Sequence, residues 1–150
     1  MAFEEEWQRL REIGVHGYFE YAHASERWSK AVDGHFATVR VPDKYGVYLV
    51  RRVEDSEIIY VGRGGSIDSN GRFKEQAIPG RLKAPRRDRI RRCDIPANRW
   101  FLDLRAAEGA LRIEYIILGK VPKSPALAEA LLLQAFLDKH GILPRYNNVF

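Results

Sequence analysis

The side chains best suited to chemistry in this chain are two tyrosines and a dense run of arginines. Tyr48 ends the segment Gly46-Val47-Tyr48, and twelve residues on Tyr60 opens Tyr60-Val61-Gly62. Arg81, Lys83, Arg86, Arg87, Arg89, Arg91 and Arg92 place seven positive side chains within twelve residues, against Asp88 alone. A phenol can hold a water molecule or take its proton, but only where nearby cations or a metal depress its pKa. A guanidinium grips a phosphate through two parallel N–H groups. Such groups suit phosphodiester hydrolysis. That reaction needs a nucleophilic water, an acceptor for its proton, positive charge for a phosphorane-like transition state and help for the leaving 3′ oxygen.

The elements that must position these groups follow from pattern. Gly46-Val47-Tyr48-Leu49-Val50, the polar Glu54-Asp55-Ser56 and Glu57-Ile58-Ile59-Tyr60 read as strand, turn and strand, a hairpin over residues 46–61 that brings the tyrosines into one neighbourhood. Gly46 and Gly62 allow close approach of backbone or substrate. Upstream, residues 3–12 carry Phe3, Trp7 and Leu10 at helical spacing. Residues 18–31, with Tyr18, Tyr21 and Trp28, predict a second helix broken by Asp33-Gly34, and Val39 and Val41 extend a sheet edge. Gly62 to Gly80 is a long loop with an Asn70-Gly71 turn, and Arg81 to Arg92 predicts a helix with Pro85 in its first turn. Trp100 to Leu104 alternates like a strand, as does Leu111 to Leu118. Ser124-Pro125 is a capped helix start, and the helix runs to His140 before Gly141, packed through Leu127, Leu131, Leu133, Phe136 and Leu137.

Composition sets wider bounds. The 150 residues suffice for one domain with a core, and the formal charge of +5 favours an anionic partner. A lone cysteine, Cys93, excludes an internal disulfide framework, reads as an incidental thiol and fits a reducing cytoplasm. No apolar run approaches a membrane span, and the acidic start of the chain is no signal peptide. His16, His23, His35 and His140 show no metal-ligand spacing and read as structural or surface residues.

Across residues 44–148 the order of motifs resembles the GIY-YIG nuclease superfamily: the Gly-Val-Tyr and Tyr-Val-Gly hairpin, Ile78-Pro79-Gly80-Arg81-Leu82, a packed helix, and Pro144-Arg145-Tyr146-Asn147. The run Glu129-Ala130-Leu131-Leu132-Leu133-Gln134 with that tail is similar to the nuclease domain of the bacterial excision-repair endonuclease. The resemblance implies an α/β (α+β) fold, a small, mainly antiparallel central sheet flanked by helices, with residues 1–43 as an N-terminal helical extension and 44–148 as the core. It gives Tyr48 the water, Tyr60 the orienting of water or phosphate, Arg81 the scissile phosphate, Arg63 added charge beside Tyr48, and Asn147 a hydrogen bond at the site edge. Arg72 competes with Arg81 for the arginine's role.

The pattern departs from that family at two positions. The metal-binding glutamate of the family falls on Gln134, which keeps a carbonyl oxygen but no charge for Mg²⁺ or Mn²⁺. Glu129 lies five residues earlier, about 140° round the helix, and is expected not to reach the same site. Gln134 is read as an engineered inactivating change, in preference to a naturally inactive descendant or a relocated ligand, so the chain is expected to be an inactivated variant. Pro85 stands where several relatives carry a proton-transferring histidine or tyrosine.

The expectation is a Mg²⁺-dependent DNA endonuclease, of the self-contained restriction type, acting on double-stranded DNA as a homodimer. Lys83, Arg86, Arg87, Arg89, Arg91 and Arg92 are expected on phosphates. The N-terminal forty or so residues and the Gly62 to Gly80 loop are candidates for sequence reading, or for a dimer contact through Trp7, Tyr18, Tyr21 and Trp28. The alternatives are a non-catalytic DNA-binding module and a structure-specific repair or mobile-element nuclease.

Overall fold

Strands buried on both faces form the centre of the computed structural model, which describes residues 2–88, 90–119 and 123–148. Helix α1 (Phe3–Ile13) leads into strand β1 (Val15–Tyr21), helix α2 (Trp28–Phe36) and the hairpin of β2 (Gly46–Arg52) and β3 (Ile58–Gly64). A small ribbon of β4 (Ser66–Ile67) and β5 (Phe73–Lys74) precedes the short helix α3 (Ile78–Leu82), and a second ribbon, β6 (Arg86–Asp88) and β7 (Cys93–Ile95), follows it. Helix α4 (Ala97–Glu108), strand β8 (Leu111–Ile117) and helix α5 (Pro125–His140) complete the order. The main sheet runs β1-β8-β2-β3, and every neighbouring pair is antiparallel. The fold is therefore α+β, an antiparallel four-stranded sheet flanked by helices, with a helix at the N-terminus.

The two faces of the sheet bury different helices. Tyr48, Val50, Ile113 and Tyr115 face α2, α3 and α4, where Trp28 and Phe101 stack with centroids 3.7 Å apart. Val47, Leu49, Val61 and Ile116 face α1 and α5, meeting Trp7, Leu10 and Leu132. Truncating a buried aromatic such as Phe101 to alanine is worth about 3–5 kcal/mol of stability. The Trp28 indole N–H donates to the Leu82 carbonyl at 2.8 Å, which ties α2 to the end of α3 and fixes Arg81 beside it. Ser124 Oγ accepts from the Leu127 amide and Gly141 takes a left-handed conformation (φ 73°), so α5 starts and stops where its caps predict.

Several local expectations are corrected. Val15–Tyr21 is a strand, with Phe19 and Tyr21 buried on alternate positions opposite Ile113 and Leu111, so the segment before residue 44 supplies an edge of the central sheet and is not wholly helical. Asp33-Gly34 lies inside α2 and does not break it, while Val39 and Val41 pack on the core outside any strand. Arg81 to Arg92 is not a helix: Pro85 disfavours helical backbone at Ala84, and the chain turns into the β6–β7 ribbon, Arg86 opposite Ile95. Trp100 to Leu104 belongs to α4, because Ala97, Phe101, Leu104 and Glu108 recur at helical spacing and are buried together. In α5 the buried positions include Ala128, Leu132 and Ala135, and Leu127 is exposed. No helix among the described residues is long and apolar enough to cross a membrane.

Candidate active site

The hairpin does bring the tyrosines together, with ring centroids 6.0 Å apart. Strand register explains how. Tyr48 lies opposite Gly62 and Tyr60 opposite Val50, so both rings stand on the same face as diagonal neighbours. Gly62 is glycine because the Tyr48 ring lies over it: a Cβ there would sit 2.5 Å from Tyr48 Cζ. Gly64 has a similar reason at the other end, since a Cβ would meet the Ile78 amide nitrogen at 2.3 Å, where α3 begins against the strand.

Behind the tyrosines lies a residue whose role the sequence did not disclose. Arg86 is 5% exposed, and its guanidinium donates to the Tyr48 hydroxyl at 2.8 Å, the Tyr60 hydroxyl at 3.2 Å and the Arg81 carbonyl at 3.2 Å. Trp100 and Phe101 close over it with centroids 5.3 and 5.2 Å from Cζ. Among the described residues no carboxylate pairs with this cation, and its Nε has no hydrogen-bond partner. The expectation that Arg86 touches nucleic acid phosphates is therefore corrected, because its head is enclosed by aromatic rings. A buried cation without an acid is costly, and the site retains it with only phenol oxygens, one carbonyl and ring faces as partners.

The two tyrosines differ in access. Tyr48 is fully buried, whereas Tyr60 is half-buried and lines two hollows. Tyr48, expected to hold the water, thus has no exposed surface, whereas Tyr60 borders open space. One hollow, about 680 Å³, is bounded by Tyr60, Arg63, Arg81, Glu129, Glu75 and Gln76. Arg63 Nη1 lies 3.7 Å from Glu129 Oε1. The Tyr60 phenol is pushed above its ordinary pKa by Tyr48 and by burial, with Arg86 and Arg81 pulling the other way. Tyr60 is thus a neutral phenol in the free protein, one lone pair engaged by Arg86.

Glu129 and Glu75 are the acidic groups that line this hollow, and Gln134 is not in it. Burial raises the Glu129 carboxyl above its usual range, opposed by Arg63 and Arg81. Gln134 is exposed on α5 and donates from Nε2 to Asp138 Oδ1 at 2.8 Å. The two positions point to different sides of α5, and Glu129 is the one that faces the hollow. Among the described residues no three His, Cys, Asp or Glu side chains converge on a metal-sized space. Magnesium needs less, commonly one or two carboxylates, waters and substrate phosphates. A desolvated carboxylate with a second one, Glu75, on the same hollow fits that demand.

The remaining expected residues sort by position. Arg81 is exposed and lines both hollows, while Arg72 sits at the β4–β5 turn, its amide on Asp68 Oδ1, and lines neither. Asn147 does hold the C-terminal turn: its side chain accepts from Val61 N–H and donates to Val61 C=O, both at 2.9 Å, and so pairs the free edge of β3. Lys83 is engaged by Asp33 at 2.6 Å, away from both hollows. Arg87, Arg91 and Arg92 are exposed on the β6–β7 ribbon, and Arg89 lies outside the described residues. Cys93 is an exposed free thiol. Trp7, Tyr21 and Trp28 are core residues and unavailable for a partner, which leaves only Tyr18 of that set exposed. His35 bonds the Tyr115 hydroxyl at 2.7 Å and His16 meets Glu114, both as structural contacts.

Glu108 also escaped the sequence reading. It is buried at the end of α4, where Arg52, Arg145 and Tyr146 meet it at 2.9–3.2 Å and anchor the C-terminal tail against the sheet. Comparison with protein-family models, with curated proteins and with solved structures finds no match to this chain. The functional reading rests on the side chains and their arrangement.

Proposed function

We propose that this protein is a DNA endonuclease that hydrolyses phosphodiester bonds with Mg²⁺ or Mn²⁺. The observation that carries this is the convergence of Tyr60, Arg63, Arg81 and Glu129 on one open hollow backed by the buried Tyr48–Arg86 pair. Arg81 and Arg63 offer guanidinium N–H groups to non-bridging phosphate oxygens. Tyr60 orients the attacking water, its hydroxyl polarised by the Arg86 N–H that it accepts. Arg86 and Tyr48 keep that hydroxyl in place from behind. Glu129 holds the divalent ion, which when bound supplies positive charge for the phosphorane-like transition state and the leaving oxygen. In the net reaction a water oxygen bonds phosphorus, the P–O3′ bond breaks, and a proton ends on the 3′ oxygen.

The motif order within residues 44–148 supports assignment to the GIY-YIG class, and Gln134, which does not line the hollow, gives no argument against activity on this reading. Restriction-type cutting by a homodimer is the finer reading. The test is incubation of supercoiled plasmid with the protein in Mg²⁺, Mn²⁺ or chelator, followed by mapping of the ends. Cutting that needs the metal supports the proposal. Ends at one short sequence indicate a restriction-type enzyme, and ends at branches or distorted sites indicate a repair or mobile-element nuclease. DNA retarded in a gel but never cut would establish a binding module instead.

A further inference from the structure

The β6–β7 ribbon ends in a residue that does not suit a purely electrostatic DNA contact. Ile90, at its turn, is 94% exposed, the most exposed of the large apolar side chains among the described residues. A single exposed isoleucine is ordinary on a protein surface, but three features set this one apart. Its neighbours along the ribbon are arginines: Arg87 and Arg91 side chains are 60% and 52% exposed, and Arg92 is exposed as well. The turn is held in shape, since Asp88 Oδ1 accepts from the Ile90 amide at 2.9 Å and the Arg91 amide at 3.1 Å. Behind it lies a groove of about 800 Å³ whose wall includes Ile90, Ile95, Trp100, Leu104 and Tyr146.

That groove reaches Tyr60 and Arg81, the two residues it shares with the reactive hollow. Its size falls within the range of pockets for small organic ligands, roughly 300–1,000 Å³, and its lining is aromatic and aliphatic with arginines at the rim. Its acids are already engaged: Asp88 by the turn, and Asp103 by Arg99 at 3.2 Å. Phosphate-binding arginines around an apolar tip, next to an aromatic slot, match the pattern by which an inserted side chain unstacks a base step. Bases released from a stack gain by resting on aromatic faces.

Building on the endonuclease reading, we propose that Ile90 is a wedge that enters the base stack of duplex DNA. Arg87 and Arg91 hold the flanking phosphates, and the groove beside Trp100 and Tyr146 receives a base from the opened step next to the scissile phosphate. The distortion brings the strand to Tyr60 and Arg81, and it favours cutting near flexible pyrimidine–purine steps.

The experiment is permanganate footprinting of duplex fragments, with Ca²⁺ in place of Mg²⁺, alongside gel retardation of the same fragments. Permanganate attacks thymines only when they are unstacked. Retarded wild-type complexes are expected to show thymines several-fold more reactive than in free DNA. Ile90→Ser should return that reactivity to the free-DNA level while weakening binding by less than about tenfold, because phosphate contacts carry most of the affinity. Circular dichroism checks that the variant is folded. Retarded duplex without reactive thymines overturns the wedge and leaves the endonuclease reading standing, as does reactivity that persists in Ile90→Ser. Binding to single strands with no retardation of duplex also overturns the wedge. Failure to bind any DNA overturns both.

Discussion

Replacing Arg86 with methionine separates what this buried cation costs the fold from what it does for the site. Its hydrogen bonds to the Tyr48 and Tyr60 hydroxyls, at 2.8 and 3.2 Å, have an ionised donor. Such bonds contribute about 1.5–3 kcal/mol each. Against this stands the removal of an unpaired guanidinium from water, an effective penalty of several kcal/mol. The two nearly cancel. Methionine fills much of the same space among the aromatic rings and leaves one new defect, a buried Tyr48 hydroxyl without its partner, worth about 1–3 kcal/mol. Arg86→Met is therefore expected to lose about 1–3 kcal/mol, and the double change Arg86→Met with Tyr48→Phe to recover most of that. Plasmid cleavage should fall severely in both. Urea unfolding followed by tryptophan fluorescence reads the stability, with an unchanged m-value as the check that the same transition is observed. A loss above about 4 kcal/mol that Tyr48→Phe does not restore is the behaviour of a broken buried ion pair. It would mean that Arg86 faces an ionised group, and would refute the description of Tyr60 as a neutral phenol.

Three further outcomes follow from the same geometry. Gly62→Ala forces a Cβ to within 2.5 Å of the buried Tyr48 ring, so it should cost about 1–3 kcal/mol by overpacking and lower both the melting temperature and cleavage. Asn147→Ala leaves the Val61 N–H and C=O without their partners, which should cost about 1–3 kcal/mol; hydrogen exchange should show a faster Val61 amide, and the edge of β3 should fray. Glu129 has a folded-state pKa raised by burial, so its contribution to stability is complete below the unfolded pKa and is lost as pH rises through the folded one. Glu129→Gln should accordingly be more stable than the wild type in metal-free buffer at neutral pH, with the gap closing on acidification. Equal unfolding midpoints at every pH would contradict that sign.

What the sequence disclosed and what it withheld have physical causes. The central hairpin was legible because Val47, Leu49, Val50 and Val61 keep strand character on both faces and the polar Glu54-Asp55-Ser56 marks the turn. The ends of α5 were legible because capping is local: a serine before a proline, a glycine after a histidine. The inward face of α5 was not, since Ala and Leu surround most of the helix and no narrow stripe sets its rotation. Gln134 came from the resemblance to the family's glutamate position, and nothing in the helix's own pattern spoke for Glu129 instead. Arg86 was hidden by its neighbours: in a run of arginines, nothing local separates a buried one from exposed ones, and only the tertiary approach of Tyr48, Tyr60 and Trp100 does so. The signal for the ribbon was Pro85, which was accommodated in a helix although it disfavours helical backbone at Ala84. Trp100 and Leu104 fit an alternating pattern over a few residues, and the longer spacing from Ala97 to Glu108 decides for a helix.

The most direct test of the site is plasmid cleavage in Mg²⁺ by three forms of the protein side by side. The wild type is expected to cut, Gln134→Glu to cut at the same rate, and Glu129→Gln to lose at least about a hundredfold, as expected on removing a group that supports transition-state charge. A wild type that is inert until Gln134 becomes glutamate, or a Glu129→Gln protein that cuts as well as the wild type, would contradict the placement of Glu129 at the centre of the site.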